Sequence, residues 1–453
     1  MEGSFRFRSV LSVWLGAFVL CTPAFLNNFP FLYADTGTYL MAGFRGYPSD
    51  IRAMTYGIFL RHVSLMESLW LVILVQGLMV SWAIHTFYRS FSTKYLSIAP
   101  LASILVLTCM TGIGEVTGML MPDFLAPVMI LCGAILLFGE NISRWRQVMA
   151  GILFVLSVAC HHSHAYIFFL LLAVGAVYWA YQFFRKKPIL FRSQRLLIIL
   201  GLTLAGYFTI PALHYQYSGE FYWSKAKSVF LTNRINQMGL LKPFLREHCP
   251  RNTYNLCASI EDIPFDFLWD SNSPMVRSGG MAANDAEYGR MLEDFFAEPG
   301  YARKFFIRSV ENGVIQFFTF EGKIIFKERE EGYPYQVFQE VWPEFIPAIR
   351  RSIQYADQWD SRFTQHIQRF LVYGGFFFCI AVLLFHWPGP GSSQMRQLII
   401  YILLSLLANA VICGGISMVD MRFQYRVVWL IPLIAIWVAF ENYPMWRNKI
   451  KQG

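Results

Sequence analysis

Long apolar runs constrain this chain more than any other feature. Segments of about 17 to 22 residues, the length a helix needs to cross a hydrocarbon core of roughly 30 Å, recur from one end to the other. Ten are read, near residues 9 to 26, 68 to 88, 96 to 113, 122 to 139, 147 to 161, 164 to 184, 196 to 213, 366 to 386, 397 to 416 and 426 to 441. With 55% hydrophobic, 17% aromatic and only 15% charged residues, so much apolar surface cannot be hidden in one soluble core. The expected fold class is an α-helical polytopic membrane protein of about ten transmembrane helices. Residues 147 to 184 form one nearly unbroken apolar stretch, which as a single helix would measure about 57 Å and overshoot the bilayer. The polar knot His161, His162, Ser163 and His164 is the expected turn between two spans.

Basic residues set the expected orientation, because loops retained on the cytoplasmic side carry the excess of Lys and Arg. One set of ends and loops holds Arg6, Arg8, Arg89, Lys94, Arg144, Arg146, Arg185, Lys186, Lys187, Arg192, Arg195, Arg396, Arg447, Lys449 and Lys451. The opposite short loops hold only Arg45, Arg52, Arg61, Arg422 and Arg426. This split predicts both termini in the cytoplasm, and it accounts for the net charge of +9 without nucleic acid. The first apolar run lacks a small-residue cleavage site and is expected to stay as a span.

Two polar regions then fall outside: a first loop near residues 27 to 67 and a long segment near 214 to 365. They divide the chain into a membrane part at 1–213 with seven spans, the outer segment at 214–365, and a membrane part at 366–453 with three. Six of the eight cysteines lie in or beside apolar runs, and only Cys249 and Cys257 occupy the outer segment. Their short loop, containing Pro250 and Asn252, predicts a disulfide in an oxidising compartment. The sole N-x-S/T sequon, at Asn141, falls on the inner side, so a bacterial inner membrane with a periplasmic segment is expected.

Ionisable groups at the outer ends of spans are the candidates for chemistry, since charge there is costly unless paired or used. Asp35, in YADTGTYL, reads either as the N-cap of a short helix or as a carboxylate that takes a proton or holds a divalent ion. Glu115 and Asp123 flank the next outer loop, where Pro122 and Asp123 also suit the first turn of a helix. His161, His162 and His164 read as a polar membrane-edge turn, as phosphate contacts from one or two imidazoles, or as zinc ligands if the helix runs on through them. Asp420, Arg422 and Arg426 meet the outer end of the last span. The two arginines, four apart, share a helical face, either anchoring that end or clamping a phosphate by forked hydrogen bonds.

This layout resembles the GT-C superfamily of integral membrane glycosyltransferases: a first span, a long first outer loop with an acid soon after it, and many further spans. The resemblance covers the chain to roughly residue 213 and the last span. It implies a polyprenyl-phosphate-linked sugar donor, a glycan, lipid or protein acceptor, and catalysis by Asp35. It also implies a second acidic pair at Glu115 and Asp123, and donor-phosphate binding by Arg422, Arg426, His161 or His162. Many members carry adjacent acids as DxD or ExD, whereas the position two after Asp35 is Gly37 and the next acid is Asp50. That departure leaves a divalent cation without its second ligand. Other classes consistent with the same residues are a non-catalytic envelope assembly protein, a transporter or flippase, and a different lipid-linked transferase.

Overall fold

The computed structural model describes residues 2–93, 97–140, 142–186, 193–250, 254–385 and 392–452. Lys94, Asn141, Lys187, Arg192 and Asn252 lie outside the described residues, as do the side chains of Arg6, Arg8, Arg447, Lys449 and Lys451. The regular elements of the described residues are all helices. Its first half holds α1 (Glu2–Leu26), α2 (Thr36–Leu40), α3 (Thr55–Val63), α4 (Leu69–Phe91), α5 (Ile98–Met110), α6 (Ile113–Thr117), α7 (Leu125–Phe138), α8 (Arg144–Cys160), α9 (His162–Phe184) and α10 (Ser193–Ser218). There follow α11 (Lys227–Gln237), α12 (Leu241–His248), α13 (Pro274–Arg277), α14 (Gly280–Ala297), α15 (Pro299–Phe318), α16 (Tyr333–Val341) and α17 (Ile346–Arg350). The last four are α18 (Arg362–Leu384), α19 (Ser392–Ile412), α20 (Met421–Val428) and α21 (Leu430–Gln452).

Seven of these stretches are long and apolar enough to cross a membrane: Ser9–Leu26, Leu69–Phe91, His162–Phe184, Ser193–Ser218, Arg362–Leu384, Ser392–Ser417 and Met421–Asn442. The protein is thus a helical integral membrane protein. The other three apolar runs form shorter helices of 13, 14 and 17 residues in α5, α7 and α8. Local chemistry explains the boundaries. Ser68 accepts from the Trp70 amide and starts α4, while Pro122 opens a 3-10 turn that runs into α7. The histidine knot does break the 147–184 stretch: α8 stops at Cys160, and His161 accepts from the Ser163 amide to start α9.

Helix α1 packs along α4, α4 on α7, α7 on α8 and α8 on α10, while α19, α18 and α21 close the other side. Helix α7 is buried on nearly every side, so the bundle is built around it. Three pairs of polar side chains inside the bundle satisfy one another, as hydrocarbon favours: Ser12 with His85 at 2.8 Å, Tyr88 with Ser103 at 2.6 Å, and Tyr56 donating to Gln76 at 2.6 Å.

The region expected as one segment at 214–365 divides in packing. Helix α10 continues to Ser218. Residues near 229–301 then build a separate core around Val229, Phe244, Phe267, Tyr288 and Phe295. A Cys249–Cys257 disulfide, with Cα atoms 5.7 Å apart, lies at its edge. Residues near 320–349 instead join the core of the bundle through Phe320, Ile324, Tyr335, Phe338 and Trp342. Aromatic matching drives this split: Phe338 and Phe345 meet Phe29, and Trp342 meets Phe44, both in the first loop.

Candidate functional site

The first loop reaches its position through backbone pairing. Phe31 forms a parallel bridge with Met119, its amide donating to the Gly118 carbonyl at 2.9 Å and its carbonyl accepting from the Leu120 amide at 2.9 Å. On the other flank Gln354 accepts from the Leu32 amide at 2.9 Å and donates to the Leu32 carbonyl at 2.7 Å. Thr36 donates to the Leu120 carbonyl at 3.2 Å. Asp35 is thereby held next to the segment that carries Asp123.

Asp35 occupies the N-cap position of α2, yet its side chain makes no cap hydrogen bond, and its backbone is already helical (φ −77°, ψ −16°). The carboxylate is taken by two guanidinium groups instead. Arg52 approaches one oxygen at 2.5 Å and Arg422 the other at 3.0 Å. Arg422 turns its remaining edge to Asp123, with Nε 3.1 Å and Nη2 3.2 Å from the two carboxylate oxygens. This fork is the strongest geometry available to the pair. Arg426, one turn further along α20 and fully buried, adds a contact to Asp123 at 3.4 Å and donates to Asn409 at 3.1 Å. The Arg422 guanidinium also lies 4.5 Å from the centre of the Tyr33 ring.

The ion-paired set contains three guanidinium groups and two carboxylates, all at most 18% exposed. Removing one partner from such a buried lattice leaves an uncompensated charge, at a cost of roughly 3–5 kcal/mol. One cation in excess, with Arg426 Nε and Arg52 Nε both buried and without a partner, is an arrangement suited to an anion.

The remaining candidates are placed as follows. Glu115 is buried beside α20, accepting from Tyr425 Oη at 2.6 Å and Trp359 Nε1 at 3.0 Å. Burial pushes its carboxyl above the usual range, and those two hydrogen bonds pull against that. Asp420 caps α20, accepting from the Arg422 amide at 2.8 Å, so its carboxylate serves the helix that presents the arginines. His161 spends Nδ1 on the Ser163 amide and hydroxyl. Ser163 in turn lies 3.4 Å from Arg426. His162 has a buried Nε2 with no partner. Cys249 and Cys257 belong to the separate 229–301 core, away from this cluster. Among the described residues no group of three or more His, Cys, Asp or Glu side chains could hold a metal ion.

Sequence reasoning did not find Arg52, Tyr33, Tyr425, Trp359 or Asn409 as parts of this site. Arg52 carried a signal, as one of few arginines on a side otherwise poor in them, but it was read only for topology. The three aromatic residues and Asn409 carried none, being a few among many like them. No protein-family model, curated protein or solved structure matches the chain.

Proposed function

We propose that the chain is a membrane glycosyltransferase that moves a sugar from a polyprenyl-phosphate donor to an acceptor on the outer face of the membrane. The observation that carries this reading is the state of Asp35. Its carboxylate is free of the helix cap and joined to Arg422, the arginine that also grips Asp123. A donor phosphate entering the cluster exchanges with a carboxylate for the arginine forks, and that exchange releases Asp35 beside the reacting centre.

In the reaction the acceptor oxygen forms a bond to the anomeric carbon as the bond from that carbon to the phosphate oxygen breaks. Asp35 takes the hydroxyl proton, and Arg422, Arg426 and Arg52 receive the charge that develops on the departing phosphate. Asp123 orients the two α20 arginines. This reading includes ten spans, α5, α7 and α8 among them, with cytoplasmic termini, a periplasmic 219–361 segment and the bacterial inner membrane as location.

The test is Asp35→Asn in cells, following membrane yield together with the masses of envelope glycans and lipid-linked intermediates, beside wild type and a deletion strain. Loss of a general base lowers turnover by about 10²–10⁴-fold. The expected result is a membrane yield lowered by the lost ion pairs but still measurable, with a missing sugar and accumulated donor lipid. Glycans and lipid intermediates unchanged in the deletion strain would remove the transferase reading in favour of a binding or assembly role.

A further inference from the structure

Helix α15 presents an apolar stripe that none of the described residues covers. Phe306, Val310, Val314 and Phe318 recur every four residues on one face, and they are 69%, 45%, 51% and 50% exposed. Ile307 and Ile315 widen the stripe. The opposite face is small or polar and is fully engaged. Gly313 lies against the Val411 backbone, Ser309 against Gly415, and Asn312 and Gln316 against Gly414. Close approach through glycine and serine is how helices associate inside a bilayer, where apolar side chains gain nothing by leaving lipid.

The depth of α15 follows from its partners. Gln368 accepts from the Gly112 amide at 2.7 Å and so marks the level of the charged cluster on α18. The ring of Phe317, at the end of α15, meets Phe376 at 6.2 Å between centroids, about 12 Å further along that helix. From there the chain turns back: Phe320 meets Tyr373, Glu321 pairs with Arg369, and Gly322 reaches Gln365. The last charged residue of α15 is Glu311, so the final two turns carry none.

Irregular backbone at such depth must be satisfied by protein, and here it is. Gln316 donates to the Thr319 carbonyl at 3.3 Å. Gln365 accepts from the Gly322 amide at 3.3 Å and donates to its carbonyl at 2.6 Å. In water the stripe would be a contiguous exposed apolar patch of the kind that marks a membrane contact.

We infer that α15 is a re-entrant helix whose Phe306–Val310–Val314–Phe318 face lies in the hydrocarbon of the leaflet at the Asp35 end, so that lipid rather than a protein partner covers it. The segment from 219 to 361 is therefore anchored to the membrane at its middle as well as at its two ends. This inference is independent of the reaction proposed above.

The test uses spin labels at Val314→Cys and Phe318→Cys in a Cys109→Ser background, reconstituted in phospholipid vesicles, with Glu293→Cys on α14 as the aqueous control. Collision with oxygen and with a water-soluble nickel chelate is measured at each site. The expected result is access to oxygen but not to nickel at 314 and 318, and the reverse at 293. Nickel access at 314 or 318 would overturn the inference, as would shielding from both reagents, which would mean a protein covers the face. A diazirine phospholipid applied to the unmodified chain gives a second reading free of substitutions. Adducts on residues 306–318 support the inference, and their absence alongside labelled α9 and α18 overturns it.

Discussion

At the scale of single residues, the same side-chain type serves opposite ends according to what surrounds it. Asp420 and Asp35 both stand at helix starts. Asp420 caps its helix, whereas Asp35 leaves the cap to join Arg52 and Arg422. The difference is competition, since charged guanidinium groups within reach outcompete a neutral amide for a carboxylate. Glu328 has no guanidinium partner among the described residues. It is 6% exposed, one carboxylate oxygen has no hydrogen bond, and burial pushes its pKa from 4.5 up to about 7 against the amides of Tyr335 and Arg329. Between those two values the folded protein retains a proton that the unfolded chain has released. Stability tied to Glu328 is therefore fully present below about pH 4.5 and declines as pH rises through 7, by about 3 kcal/mol over the whole interval. Thermal unfolding of Glu328→Gln should show a stability advantage over wild type that grows from pH 5 to pH 8. An advantage that stays flat across that range would contradict the assignment.

At the scale of elements, the site depends on how closely short pieces of the first loop cross. Gly57 on α3 and Gly43 in the π-helical turn Met41–Arg45 meet backbone to backbone, and a methyl group on Gly57 would collide with the Tyr39 carbonyl and the Gly43 amide. This crossing sets the span between Asp35 and Arg52. Gly57→Ala should lower stability by about 1–3 kcal/mol, the range for overpacking a tight contact. Gly201→Ala on α10, where nothing lies within 4 Å, should have no such cost. Paired melting curves in detergent check this, and equal behaviour of the two variants would contradict the packing role. A comparable grip acts elsewhere: Arg234 of α11, buried, donates to the Gly414 and Gly415 carbonyls just ahead of α20. The separate 229–301 core is thus tied to the turn that leads into Arg422 and Arg426.

At the scale of the whole molecule, the cluster sits at one end of the bundle, and the proposed reaction requires that end to face outward. The proposed ten spans would place the loop between α5 and α7 outside. A phosphatase reporter active only outside the cytoplasm should then work when inserted after Gly118, and fail after Ser92 or after Glu140. Failure after Gly118 would put Glu115 and Asp123 on the wrong side for that reaction. Much of the architecture was legible in the chain. The membrane class, the long helices and the break at His161 follow from apolar length and from local polar punctuation, because a helix satisfies its backbone within its own segment. The candidate acids and the α20 arginines were legible as types near the ends of apolar runs. Their pairing was not. Asp35 and Arg422 are 387 residues apart, Asp123 and Arg422 are 299 apart, and Trp359 reaches Glu115 across 244. The sequence by itself determined the long helices apolar enough to cross a membrane, since that depends on local hydropathy and length. Only the tertiary structure decided which charges meet, because that depends on how helices and loops distant in the chain pack around α7.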